Sequence, residues 1–168
     1  MSEWEFWSVD QRFGLRIGEQ AAARLLQFSV RSDRKETGGI LVGFYTETLD
    51  CAVVTTVSGP PADSQSTKTW FARGVRGLQR WLERLWRTEG DYYIGEWHAH
   101  PGAVPVPSLR DIEQLQQIAA SELYRCPEPL LLIIGGDLRR NYEAGAFVFP
   151  HGEGPTELVR SQPRFPVI

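Results

Sequence analysis

Apolar residues recur every three or four positions in three stretches of the chain, with polar or charged residues between them. The stretches are residues 18–30, 75–87 and 108–124. Their apolar positions are Ala21, Ala22, Leu25, Leu26 and Phe28 in the first, Val75, Leu78, Leu82 and Leu85 in the second, and Ile112, Leu115, Ile118, Ala119 and Leu123 in the third. Because this spacing puts the apolar side chains on one face, it predicts three amphipathic helices whose apolar faces pack on a core.

Runs rich in β-branched, aromatic and aliphatic residues separate the predicted helices. We predict strands at residues 4–9, 36–47, 51–59, 69–74, 91–100, 129–136 and 144–150. The polar residues between the second and third runs indicate a hairpin. The run "PLLLIIGG" is almost continuously apolar, which is typical of a central strand that is covered on both faces. The pattern predicts an α/β (α+β) fold with a mixed sheet of six or seven strands flanked by helices.

Length and composition indicate one folded domain. The chain has 168 residues, of which 42% are hydrophobic, and a single core commonly serves about 100–200 residues. We expect the domain to cover residues 1–150. Residues 151–168 contain three prolines and little periodicity, so we expect a C-terminal tail there.

Charge and cysteine content narrow the possible partners. The net charge of −3 gives no global basic field, so we expect no nucleic-acid partner, although Arg76, Arg80, Arg84 and Arg87 form a local basic cluster. No apolar run approaches the roughly 20 residues of a membrane span, and the N-terminus does not resemble a secretory signal. Two cysteines without metal-site or disulfide-framework spacing favour a reducing compartment. We therefore expect a soluble cytoplasmic protein with no membrane partner.

The stretch "GEWHAHPGAVPVPSLRD", residues 95–111, contains residues suited to a metal site. Side chains two apart on a strand point to the same face, so His98 and His100 converge. Asp111 supplies a third ligand if the proline-rich loop folds back over the strand end. Two histidines, one carboxylate and a water are the open arrangement of a catalytic zinc rather than a closed structural site. On the residues alone, a site for one Zn²⁺ ion and a structural role for the two histidines both remain open.

A catalytic zinc of this kind needs a carboxylate that takes a proton from water and passes it to the leaving group. Glu96 lies two residues before His98, on the same face of the predicted strand. Glu36 begins a strand with two glycines, whose backbone can approach another segment closely. The residue pattern alone does not choose between them.

Ser108 has two interpretations. Its hydroxyl is a candidate donor to the oxyanion of a tetrahedral intermediate. Ser108 and Asp111 also fit the S-x-x-D pattern of a capping box at the start of the third helix. The two functions are compatible, because an N-cap serine and an acid in the first turn stabilise a helix with or without a metal.

In order along the chain, "ETGGILVG", "HAHP" and "PSLRD" resemble the E, H-x-H-P and S-x-x-D pattern of the JAMM (JAB/MPN) zinc metalloproteases. The resemblance implies an MPN/JAB fold, similar to that of cytidine deaminases. It also implies roles: His98, His100 and Asp111 bind zinc, Glu36 is the general acid/base, and Ser108 stabilises the oxyanion. Many members have a hydroxyl residue at the position of Ala99, whose side chain we expect to face away from the metal.

The resemblance further implies cleavage of isopeptide or peptide bonds after the C-terminus of a ubiquitin-like protein. The chain looks like the bacterial stand-alone branch found beside E1- and E2-like proteins in anti-phage (CBASS) operons. Its expected partners are those proteins and a modifier-like C-terminal tail, such as that of a nucleotidyltransferase conjugate. Trp70 and Phe71 lie where members place a tail-contacting insertion, although packing is the commoner role of such aromatics.

Two other hypotheses remain open from the sequence. Some family members lack the metal ligands and act as scaffolds, but the complete ligand set argues against that role here. Alternatively, the chain processes sulfur-carrier proteins or hydrolyses small amides with the same zinc chemistry.

Overall fold

The computed structural model describes residues 3–161. The helices are α1 (Glu19–Arg31), α2 (Leu78–Glu89) and α3 (Leu109–Ala120). The strands are β1 (Trp4–Trp7), β2 (Gly14–Ile17), β3 (Thr37–Tyr45), β4 (Cys51–Val57), β5 (Gln65–Ser66), β6 (Phe71–Ala72), β7 (Tyr92–Pro101), β8 (Leu130–Asp137), β9 (Asn141–Val148) and β10 (Thr156–Arg160).

Eight of these strands form a closed barrel in the order β1-β10-β9-β8-β7-β3-β4-β2. The pairs β7–β8 and β2–β4 are parallel and the other barrel pairs are antiparallel. β5 and β6 form a separate two-stranded hairpin. The predicted class, a mixed sheet with helices in a single domain, is confirmed. Closure of the sheet into a barrel was not predicted.

The barrel closes through two short strands that the sequence pattern did not reveal. β2 has four residues, and β10 lies in the segment predicted to be a C-terminal tail, residues 151–168. β10 pairs with both β9 and β1, so the barrel extends beyond the boundary predicted at residue 150. Residues 162–168 of the predicted tail lie outside the described residues.

The core occupies both faces of β8, as its continuous apolar run predicts. Leu130, Leu132 and Ile134 join a large cluster that includes the buried apolar residues of α1. Leu131 and Ile133 face the other way and pack with Leu115 and Ile118 of α3 and with two phenylalanines. This second cluster fixes α3 against the strand next to β7, and β7 carries both candidate histidines.

Two helices differ in detail from the prediction. α2 contains no fully buried residue. Its three leucines are half-buried, whereas Trp86 is exposed, as is Val75, which precedes the helix. α3 ends at Ala120, because Ser121 adopts an extended backbone conformation, and Leu123 beyond it is 94% exposed. Amphipathic spacing thus identified the helices but overestimated how deeply α2 is buried and how far α3 extends.

The pairing of β3 with β7 sets up the candidate site. Thr37 lies opposite Ala99 and Gly38 opposite His98 in this antiparallel pair. Glu36 immediately precedes this paired segment, at the end of β7 that carries His100. None of the helices within residues 3–161 combines the length and apolar character required to span a membrane.

Candidate metal centre

β7 presents its two histidines on one face, as the strand period predicts. His98 and His100 are both buried, while Ala99 between them belongs to the large core cluster on the other side of the strand. The Ala99 side chain therefore faces away from the candidate site, as expected. Ala99 is thus part of the core packing.

The loop after His100 passes close over β8 and β9. Two glycines of these strands make this approach possible because they have no side chain. A Cβ atom added at Gly135 would overlap the carbonyl oxygen of Ala103, and one added at Gly145 would overlap that of Pro105. The loop is also held by hydrogen bonds of Gly136 with Ala103 and with Gly102. This close approach brings the start of α3 back to the end of β7.

Ser108 and Asp111 form the predicted capping box at the start of α3. The Asp111 amide donates to Ser108 Oγ (3.2 Å), and the Ser108 amide donates to Asp111 Oδ2 (2.7 Å). The Ser108 hydroxyl also donates to Oδ2, at 2.7 Å. These bonds fix the carboxylate at the helix start, where it faces the histidines of β7.

The three predicted ligands come together. His98, His100 and Asp111 are all buried and offer ligand atoms within 4.8 Å of one another. Asp111 Oδ1 lies 2.9 Å from His98 Nδ1, and Oδ2 lies 3.8 Å from His100 Nε2. Both nitrogens of His98 and Nε2 of His100 are buried without a hydrogen-bond partner. Buried polar atoms normally have partners, so these orphaned nitrogens fit a bound cation.

Glu36 lies at the edge of this cluster, just before β3. Its Oε2 atom is 4.0 Å from His100 Nε2, and its side chain is 15% exposed. The Glu36 amide donates to the carbonyl of Thr67, which ties the strand start to the β5–β6 hairpin. Partial burial, and then the nearby Asp111 charge, raise the pKa of Glu36. A raised pKa favours a carboxylate that exchanges protons near neutral pH.

Glu96, the other candidate base, has a different environment. It is fully buried, and its Oε1 atom accepts a hydrogen bond from Nε of Arg73 (2.9 Å) and lies 2.8 Å from Nη2 of the same guanidinium in an ion pair. Burial opposes ionisation of Glu96, but His98 and Arg73 together lower its pKa. A carboxylate held ionised by an arginine is poorly suited to carry protons. The geometry therefore favours Glu36 over Glu96 as the base.

His98 and Asp111 shift each other's pKa. Burial disfavours the charged imidazole, yet the carboxylates of Asp111 and Glu96 raise the pKa of His98 to about 9. Burial also opposes ionisation of Asp111, but His98 and then Ser108 lower its pKa to about 2. For His100, burial is the largest effect and lowers the pKa. The lowered pKa keeps Asp111 ionised beside the two histidines, where a cation would bind.

The β5–β6 hairpin covers one side of the site. Phe71 is buried and packs edge-on against His98, with ring centroids 5.7 Å apart. Trp70 is half-buried, and the guanidinium of Arg110 stacks over its ring, with Cζ 4.7 Å from the ring centroid. Phe71 is therefore a packing residue, whereas Trp70 keeps part of its surface accessible beside the start of α3.

Comparison with known proteins identifies the family. Residues 18–149 match the family described as prokaryotic homologues of the JAB domain. The chain belongs to the prokaryotic JAB family. The predicted family is thereby confirmed, and the matched range includes every residue of the metal centre described above.

Curated relatives of this JAB chain carry enzyme names. A protein named "CD-NTase/cGAS isopeptidase" from Enterobacter hormaechei is 39% identical over 91% of this chain and 84% of its own length. The "probable metalloprotease y4qB" of Sinorhizobium fredii is 30% identical over 71% of this chain and 74% of its own length. An Escherichia coli protein named "CD-NTase/cGAS isopeptidase" is 32% identical over 60% of this chain.

A solved structure supports the fold. The solution structure of a protein from Desulfitobacterium hafniense superposes with a TM-score of 0.61, covering 84% of this chain and 87% of that protein. The two sequences are 19% identical, so this likeness concerns the fold alone.

One functional neighbour, Arg73, was missed in the sequence. It follows β6 and forms the ion pair with Glu96 inside the protein. A signal for it exists: Glu96 interrupts the apolar strand that carries the histidines, and a buried carboxylate requires a charged or hydrogen-bonding partner. The sequence therefore predicts a partner for Glu96 but does not show which basic side chain it is.

Proposed function

We propose that this JAB-family chain is a zinc-dependent isopeptidase or peptidase that cleaves after the C-terminus of a ubiquitin-like or modifier-like protein. The observation that carries the proposal is the cluster of His98, His100 and Asp111, with unpartnered buried nitrogens and the Glu36 carboxylate at its edge. These three residues would hold one zinc ion, and Glu36 and Ser108 would act on the substrate.

Each residue has a distinct task in this proposal. Bound zinc acts as a Lewis acid and lowers the pKa of a water to about 7. Glu36 takes a proton from the attacking water onto its carboxylate and delivers it to the leaving amine. The Ser108 hydroxyl donates its one proton to Asp111 Oδ2 in the structure, and it would rotate to donate that proton to the oxyanion as the carbonyl becomes tetrahedral. The raised pKa of Glu36 suits a group that accepts and then releases one proton per turnover.

The proposed substrate is based on the family to which the chain belongs and on the names of its curated relatives. Two relatives are named CD-NTase/cGAS isopeptidases, which supports a conjugate of a CD-NTase-like nucleotidyltransferase, made by E1- and E2-like proteins of an anti-phage system. The modifier tail would lie extended along the β5–β6 hairpin next to Trp70, with main-chain hydrogen bonds providing affinity. Cytoplasmic action is part of the proposal, and the two buried cysteines are in the free form that a reducing compartment maintains.

A cleavage panel tests the proposal. The zinc-loaded protein is incubated with a fluorescent protein fused to the C-terminus of a CD-NTase, with the matching ubiquitin and ubiquitin-like fusions, and with a small amide. We expect one of the modifier fusions to be cut after its last modifier residue. Cutting of the small amide alone would contradict the proposed substrate, and no cutting would favour the scaffold hypothesis.

Glu36→Gln is the decisive variant of the panel. It keeps the side-chain shape but removes the proton-accepting charge, so turnover should fall by roughly 10²–10⁴-fold while zinc remains bound. Glu47→Gln, an exposed carboxylate in the turn beyond the other end of β3, is the matched control and should behave like the parent. Loss of zinc from Glu36→Gln, or undiminished turnover, would contradict the assignment of Glu36.

A further inference from the structure

Glu96 occupies a costly position. It is fully buried on β7, two residues before His98 and on the same face of the strand. Removing a carboxylate from water carries an effective penalty of several kcal/mol, which a single partner does not necessarily offset. Apolar replacements of buried ion pairs are often at least as stable as the pair itself. Stability alone is therefore a weak reason for a charge at this position.

The two oxygens of Glu96 have different surroundings. Oε1 receives both guanidinium contacts from Arg73 and lies 3.4 Å from the hydroxyl of Tyr93. Oε2 accepts a hydrogen bond from Gln114 of α3 (3.2 Å) and lies 3.9 Å from His98 Nε2. One oxygen is thus anchored by the arginine, and the other faces a candidate metal ligand.

The His98 ring lies between two carboxylates. Its Nδ1 atom faces Asp111 Oδ1 at 2.9 Å, and its Nε2 atom faces Glu96 Oε2 at 3.9 Å. An imidazole that ligates through one nitrogen carries its proton on the other, where a neighbouring carboxylate fixes the tautomer and raises ligand basicity. We infer that Glu96 is a positioning residue for His98, and that Arg73 holds Glu96 in place for this purpose.

Arg73 also connects this pair to the hairpin that covers the site. Its Nη1 atom donates to the Gly74 carbonyl, and its Nη2 atom donates to the Tyr124 hydroxyl at 3.0 Å. Phe71, two residues earlier, packs edge-on against the His98 ring. A single short segment therefore contacts His98 directly through Phe71 and indirectly through Arg73 and Glu96. Orientation of the ring and placement of the hairpin are linked in this arrangement.

This inference rests on the proposed metal site. The test therefore measures metal binding rather than cleavage activity. Zinc affinity is determined by competition with a chelator, and Co²⁺-substituted protein reports the ligand field through its visible absorption. Glu96→Gln keeps the shape and removes the charge. The double variant Arg73→Met with Glu96→Met replaces the buried pair by apolar side chains, which preserves packing. Asp91→Asn, a buried carboxylate just before β7 that pairs with Thr55, is the matched control.

We expect zinc affinity to fall roughly 10–100-fold in Glu96→Gln and in the double variant, with a shifted Co²⁺ spectrum and a cooperative melting transition in both. Asp91→Asn should keep the parent affinity and spectrum. Folded variants of Glu96 with unchanged affinity and spectrum would overturn the positioning role and leave the isopeptidase proposal intact. A parent protein that binds no zinc would overturn both.

Discussion

The Ser108 hydroxyl donates to Asp111 Oδ2 at 2.7 Å, and the Asp111 amide donates back to Ser108 Oγ at 3.2 Å. The same pair of residues therefore starts α3 and orients a proposed metal ligand. In this protein a local helix-capping interaction is part of the functional site, so capping and catalysis are expected to change together when either residue is altered.

Replacing Ser108 by alanine should reduce both stability and turnover. Loss of the N-cap costs about 1 kcal/mol in the free energy of unfolding, and loss of an oxyanion donor lowers kcat by roughly 10²–10³-fold. Thermal melting and single-turnover cleavage measure the two effects. Ser108→Thr keeps a capping hydroxyl and should retain most of the stability. A Ser108→Ala protein with parental kcat would refute the oxyanion role.

Removal of a proposed ligand should remove the metal. We expect His98→Ala and Asp111→Ala to lose zinc on dialysis, because two remaining protein ligands leave the coordination incomplete. Elemental analysis of the dialysed protein measures the zinc content. Glu113→Ala alters an exposed carboxylate on α3 and should retain one zinc ion per chain. Stoichiometric zinc in either ligand variant would show that the ion binds elsewhere.

Zinc affinity should depend on pH through His98. Burial lowers the pKa of His98, but the carboxylates of Asp111 and Glu96 outweigh this effect and raise it to about 9. Zinc needs the neutral ring, so binding below that pH releases a proton, and the association constant falls about tenfold per pH unit as the pH decreases. Titration calorimetry at pH 7 in buffers of different ionisation enthalpy should detect about one proton released per zinc. Binding without proton release would contradict a protonated His98.

The glycines beneath the loop should be intolerant of a side chain. A Cβ at Gly145 would overlap the Pro105 carbonyl, so Gly145→Ala must displace the loop that leads to Ser108. We expect a loss of roughly 1–3 kcal/mol in the free energy of unfolding together with weaker zinc binding. Gly154→Ala, whose Cβ would meet no atom within 4 Å, is the control. Unchanged zinc affinity in Gly145→Ala would show that the loop does not position Asp111.

Much of the fold and part of the site could be predicted from periodicity. Helical spacing located α1, α2 and α3, and the apolar run of β8 correctly indicated burial on both faces. β2 and β10 were missed because their identity as strands depends on pairing with distant partners. The exposure of α2 was missed because periodicity shows which face is apolar but not how completely another element covers it.

The sequence by itself determined the local chemistry of the site: two histidines on one strand face, a capping box at the next helix, and flexible glycines where segments approach closely. Residue spacing left Glu36 and Glu96 both open as the base; the resemblance to the JAMM proteases implied Glu36, and only the tertiary structure supplied a physical reason for that choice. The antiparallel pairing of β3 with β7 brings Glu36, just before β3, to 4.0 Å from His100 (Oε2 to Nε2). Arg73, separated from Glu96 by 23 positions, pairs with that carboxylate inside the protein. The Glu36–His100 contact and the Arg73–Glu96 ion pair both form between separate elements. The spacing of residues within one segment does not show which distant side chain will contact it.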